Sequence, residues 1–147
     1  MWMKRSWAKR RRRVVSWRTV LAIIASGFVS SLTDWLFMGD WLYKRFDRHP
    51  EIWRYSSGTS EGKAIVWSSL LPFLTCGVFI LLCEALHLHS YRETLKLAAA
   101  IWLIGPLCLI ITYSVWMKID GAIAASYSMG WLVKLVIAAG AVTNLLK

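Results

Sequence analysis

Four long runs of apolar residues constrain this chain more than any other feature. A helix needs about twenty apolar residues to cross the hydrocarbon core of a bilayer. Runs of that length occupy residues 16–38, 64–83, 97–117 and 121–146. The first contains Arg18 and Asp34, the fourth contains Lys134, and the other two carry no charge. The runs predict an all-α fold, an integral membrane four-helix bundle that crosses the bilayer four times.

Basic residues outside the runs predict the orientation, because the more basic side of a membrane protein is held in the cytoplasm. With the N-terminus inside, eleven Lys and Arg lie on the cytoplasmic side: Lys4, Arg5, Lys9, Arg10, Arg11, Arg12, Arg13, Arg18, Arg92, Lys96 and Lys147. Six lie on the far side: Lys44, Arg45, Arg48, Arg54, Lys63 and Lys118. The count predicts that both termini are cytoplasmic.

Residues 1–18 form a basic cytoplasmic tail that holds eight of the eighteen Lys and Arg. A net charge of +10 spread over a surface would suggest nucleic acid. A polybasic segment directly beside a span instead fixes topology and contacts anionic lipid, at about 1 kcal/mol per charge. The tail therefore predicts membrane lipid rather than nucleic acid as its partner, through the lipid-facing side chains Arg10, Arg11, Arg12 and Arg13. Residues 19–147 then form the four-span transmembrane domain.

The predicted outer loop, residues 39–63, alternates aromatic and charged residues. It is either a connector lying along the membrane or a surface that binds a partner.

The stretch 34–39 reads DWLFMG and 49–54 reads HPEIWR, with Tyr43 and Arg45 between them. These residues resemble small four-helix bacterial membrane proteins catalogued as a domain of unknown function. The resemblance implies a class and the bacterial inner (plasma) membrane, but no activity.

Small residues recur at every fourth position in the first and fourth runs, so each set lies on one helix face. The first ladder is Ala22, Ser26, Ser30 and Asp34, and the second is Ala122, Ser126, Gly130, Lys134 and Ala138. Such ladders let helix backbones approach closely, which predicts that the first and fourth helices pack together. They also predict an intramembrane ion pair between Asp34 and Lys134, formed directly or through a water or Ser126.

The remaining reactive residues do not form a recognisable site. The three cysteines, Cys76, Cys83 and Cys108, are widely spaced in apolar runs, and they are interpreted as buried small hydrophobes. Glu84, His87 and His89 could ligate a metal or haem, but the two histidines point to different sides of a helix and the third, His49, lies across the membrane. We therefore predict no metal, no cofactor and, since no catalytic motif occurs, no enzymatic activity.

Two classes of function are compatible with this sequence. The first is a non-catalytic subunit, assembly factor or scaffold of a membrane complex, which binds other membrane protein chains or copies of itself. The second is a small oligomeric transporter or channel that uses Asp34 and Lys134. A proton-coupled transporter needs an acid that is free to titrate, and Lys134 can neutralise Asp34. This consideration favours the binding class.

Overall fold

The computed structural model describes residues 15–36, 59–117 and 119–146, and these residues form four helices. The helices are α1, Trp17–Trp35; α2, Thr59–Ala85; α3, Tyr91–Trp116; and α4, Gly121–Leu145. The all-α class is thereby confirmed for the described part of the chain.

Three of the four helices are long and apolar enough to cross a membrane, over Gly62–Ala85, Tyr91–Trp116 and Gly121–Leu145. They support an integral membrane protein. Within the described ranges α1 does not join them, although its 19 residues would extend about 28 Å. The reason is its composition, because the helix contains Arg18, Asp34 and five Ser and Thr residues.

Helix α1 directs its polar side chains inward and its apolar side chains outward. Its buried residues are Thr19, Ala22, Ser26, Gly27 and Ser30. Its exposed large apolar residues include Leu21, Ile24, Phe28, Val29 and Leu32. A surface helix of a soluble protein has the opposite arrangement. Small and hydroxyl-bearing residues at helix contacts, with large apolar residues outside, are typical of a helix in lipid.

Helix α3 begins earlier than the predicted run and changes its winding in the middle. It starts at Tyr91 rather than residue 97, because the charged residues Arg92, Glu93 and Lys96 form its first turns after the N-cap Ser90. Residues Leu103–Leu107, which include Pro106, adopt a π-helical turn. Proline has no N–H to donate to the preceding turn, which accounts for the local change of winding.

The core lies where α2 ends and α3 begins. Helices α1, α2 and α4 pack on one another, whereas α3 packs chiefly against α4. The buried core residues are Ala22, Cys76, Phe79, Ile80, Cys83, Ala98, Leu135, Ala138, Ala139 and Val142. The Trp102 indole Nε1 donates a hydrogen bond to the Ser128 carbonyl at 2.8 Å, which attaches α3 to α4. The first half of α2 and the second half of α3 therefore lie largely outside the core.

Candidate functional site

Asp34 and Lys134 lie together between α1 and α4. Lys134 Nζ is 2.6 Å from Asp34 Oδ2, and the side chains are 13% and 25% exposed for Lys134 and Asp34 respectively. At this distance the pair is a charge-assisted hydrogen bond. The contact is therefore direct and does not pass through Ser126. The Ser126 hydroxyl instead donates to the Ala122 carbonyl of its own helix at 2.8 Å.

Two residues of α4, Gly130 and Trp131, lie beside the Asp34–Lys134 pair. A β-carbon placed on Gly130 would lie 3.9 Å from Asp34 Oδ1, so this position lies directly opposite the carboxylate. The Trp131 ring centroid lies 5.3 Å from Lys134 Nζ, within the range of a cation–π interaction. Lys134 is therefore held by a carboxylate from α1 and an aromatic ring from its own helix.

The residues of the two small-residue ladders differ in how deeply they are buried. Ala22, Ser26 and Ser30 are buried on α1, and Ala138 is buried on α4. Ala122, Ser126 and Gly130 are half-buried. Helices α1 and α4 are in contact, but the α1 ladder also faces α2. The Ser30 hydroxyl lies 3.3 Å from Cys76 Sγ, which in turn lies 4.0 Å from the Lys134 carbonyl oxygen.

Gly27 makes the closest approach between α1 and α2 among the described glycines. A β-carbon at this position would lie against Cδ1 of Phe73 and only 2.7 Å from its Cγ. Real β-carbons do not come so close, so the Phe73 ring occupies the space that any larger residue at 27 would need. This contact was not predicted from the ladder, because the position of Phe73 depends on how α2 docks.

A second polar contact joins α1 to α2 at the other end of α1. The buried Thr19 hydroxyl donates to Glu84 Oε1 at 2.6 Å, and Ser16 Oγ lies 3.0 Å from Thr19 Oγ1. Sequence reasoning considered Glu84 only as a ligand beside His87 and His89. A signal was available, because Thr19 precedes Ser26 by seven residues and so lies on the same buried face.

The remaining His, Cys, Asp and Glu residues that the structure describes do not form a metal or catalytic centre. Within the described ranges, no three His, Cys, Asp or Glu side chains come together in a way that could hold a metal ion. Cys76 and Cys83 are buried, but the interpretation of Cys108 as buried was wrong, since it is exposed. The reason is that α3 contacts protein chiefly on its α4 side, and the Cys108 thiol instead donates to the Leu103 carbonyl at 3.1 Å.

Some predicted features lie outside the described residues. These are the basic side chains Arg10, Arg11, Arg12 and Arg13 of the tail, most of the outer loop, and His49. No protein-family model, curated protein or solved structure matches this chain. The resemblance carried by residues 34–54 therefore stays a prediction.

Proposed function

We propose that this chain is a non-catalytic bacterial inner-membrane protein that crosses the bilayer four times and acts by binding other membrane protein chains. Its role would be that of a subunit, assembly factor or scaffold in a membrane complex. Three parts of the proposal have separate support, namely the topology, the use of the intramembrane charges, and the surface offered to a partner.

The topology is supported by α1 and by the distribution of basic residues. The large apolar residues of α1 are exposed and its hydroxyl-bearing residues Thr19, Ser26 and Ser30 are buried, which suits surroundings of lipid rather than water. Its Asp34 pairs with Lys134 in a helix that is itself long enough to span a membrane. With four crossings and the basic tail inside, both termini are cytoplasmic.

We expect impermeant thiol reagents to label Gly58→Cys from the outside of intact cells. Reporters fused at Met1 and Lys147 should be active only in the cytoplasm, because the basic tail holds the N-terminus there and four crossings return the C-terminus. A Cys108→Ser background removes the exposed native thiol and serves as the unlabelled control. Labelling of position 58 from the cytoplasmic side alone would show that the orientation is inverted.

The observation that carries the binding function is that Asp34 of α1 and Glu84 of α2 each already have a partner on another helix. Lys134 neutralises Asp34 at 2.6 Å, and Glu84 accepts the Thr19 hydroxyl at 2.6 Å. A group that titrates during transport must be free to lose and regain its partner, at a cost of several kcal/mol in a low-dielectric site. Here Asp34 and Glu84 each bond a group on a neighbouring helix, and these bonds help to hold the helices together.

Helix α3 supplies the surface for a partner. Only 11% of its most apolar window is buried, against 28% for α2 and 33% for α4. Ile104 and Val115 are 80% and 75% exposed. A methyl group placed on Gly105 would have no neighbour within 4 Å, so another helix could approach this part of the backbone closely. A helix attached by one side offers the rest of its surface for binding.

Photo-crosslinking in living cells tests the binding function residue by residue. A photoreactive amino acid at Ile104 or Val115 should give one discrete protein adduct, because a bound helix would cover these positions. The matched control is Ile24 on the lipid-facing side of α1, which is 56% exposed and should give lipid adducts. Identical adduct patterns from all three positions would contradict a specific partner on α3.

A further inference from the structure

Helix α1 is fastened to a different neighbour at each end. Near its N-terminus the Thr19 hydroxyl is bonded to Glu84 of α2 at 2.6 Å. Near its C-terminus Asp34 is bonded to Lys134 of α4, also at 2.6 Å. We call these the Thr19–Glu84 clasp and the Asp34–Lys134 clasp. The two clasps use different carboxylates and different donors, so a substitution can open one and leave the other in place.

Between the clasps lies a close contact of α1 with α2. Gly27 is eight residues beyond Thr19 and seven before Asp34, and its backbone lies directly against the Phe73 ring of α2. The two clasps therefore lie roughly 12 Å and 10 Å to either side of this contact along the helix. Ser26, which precedes Gly27, bonds its own helix through the Ala22 carbonyl at 2.6 Å, so it adds no link to a neighbour.

The opposite face of α1 is covered by no other described helix. Leu21, Ile24 and Phe28 are exposed there, and α1 contacts chiefly α2 and α4. In a membrane these side chains would meet lipid chains, which rearrange easily. Movement of either end of α1 away from the protein therefore meets little steric resistance.

We propose that α1 bends at the Gly27–Phe73 contact, and that each half of the helix is held by one clasp. Opening the Asp34–Lys134 clasp releases the C-terminal half from α4 while the N-terminal half stays on α2. Opening the Thr19–Glu84 clasp has the converse effect. A bend of about 10° at Gly27 would displace Trp35, eight residues away, by roughly 2 Å. This bending goes beyond the proposed binding function and is possible in either membrane orientation.

Distances between spin labels at each end of α1 test this hinge at Gly27. In a Cys108→Ser background, cysteines at Trp35 and Met129 report the α1–α4 distance, and cysteines at Trp17 and Leu86 report the α1–α2 distance. All four positions are exposed, so labels there avoid the core. The full chain is measured in lipid nanodiscs by double electron–electron resonance, before and after each substitution.

We expect Lys134→Met to lengthen or broaden the Trp35–Met129 distance by roughly 2 Å or more, and to leave the Trp17–Leu86 distance unchanged. Thr19→Val, which removes the donor to Glu84, should do the reverse. The double substitution Asp34→Asn with Lys134→Met is the second variant if Lys134→Met alone does not fold, because it opens the clasp and leaves no unpaired charge. The matched control is Thr33→Val, because the Thr33 hydroxyl bonds only the Val29 carbonyl of its own helix. Both distances changing together, or neither changing, would overturn the hinge at Gly27.

Discussion

Replacing Lys134 by methionine is expected to lower the free energy of unfolding by about 3 kcal/mol, because Asp34 is left as an unpaired charge inside the membrane. Asp34→Asn should cost somewhat less, since an amide oxygen can still accept a hydrogen bond from Lys134. The double substitution should cost less than the sum of the two, because it removes both charges. The folded fraction after detergent extraction, followed during denaturant titration, measures all three.

Two control variants leave an ion pair between positions 34 and 134 in place. Lys134→Arg preserves the charge and should retain most of the stability, although the planar guanidinium needs a different geometry. Thr33→Val changes the residue beside Asp34 without touching the pair and should be nearly neutral. Purely additive losses in the double variant would mean that the two charges do not interact, and Asp34 would then be a candidate titrating group.

Replacing Gly27 by valine is expected to destabilise the protein by about 2 kcal/mol, as overpacking of a well-filled contact does. The first added carbon would lie 2.7 Å from Phe73 Cγ, so either the ring or α1 must move. Adding Phe73→Leu should restore part of the loss by making room. Thermal unfolding in detergent, read by circular dichroism, gives the comparison.

The chain offers a matched control for Gly27 in α4. A methyl group at Gly140 would have no neighbour within 4 Å, so Gly140→Ala should be neutral or slightly stabilising, as alanine favours a helix. Gly27→Ala in the same series already places an atom against Phe73 and should be destabilising. Equal behaviour of Gly27→Ala and Gly140→Ala would contradict the close α1–α2 contact.

Much of the helix layout follows from local sequence, because each element depends on a run of neighbouring residues. The apolar runs predict α2, α3 and α4 to within a few residues at most ends. The four-residue spacing that places Asp34 and Lys134 on the small-residue faces of their helices also depends only on helix periodicity. Which neighbour each face meets is a tertiary property, so the contacts of Thr19 with Glu84 and of Gly27 with Phe73 were not predicted.

The sequence also did not predict which helices pack against several neighbours and which pack against one. The runs of α2 and α3 are both free of charge, yet α2 packs on both α1 and α4 while α3 packs chiefly against α4. Hydropathy does not distinguish an apolar side chain facing lipid from one facing protein, because both surroundings are apolar. Helix α1 has a lower hydropathy because it contains Arg18, Asp34 and five Ser and Thr residues, of which Thr19, Ser26 and Ser30 are buried.

Native extraction decides whether this protein functions by binding another membrane protein chain. The tagged full chain would be taken from its membrane in lipid nanodiscs without detergent, and its composition read by mass spectrometry of proteins and small molecules. We expect a second membrane protein at fixed stoichiometry, which is retained at high salt because the contact is apolar. Recovery of this chain alone, together with a solute or ion flux in proteoliposomes that Asp34→Asn abolishes, would contradict the binding function.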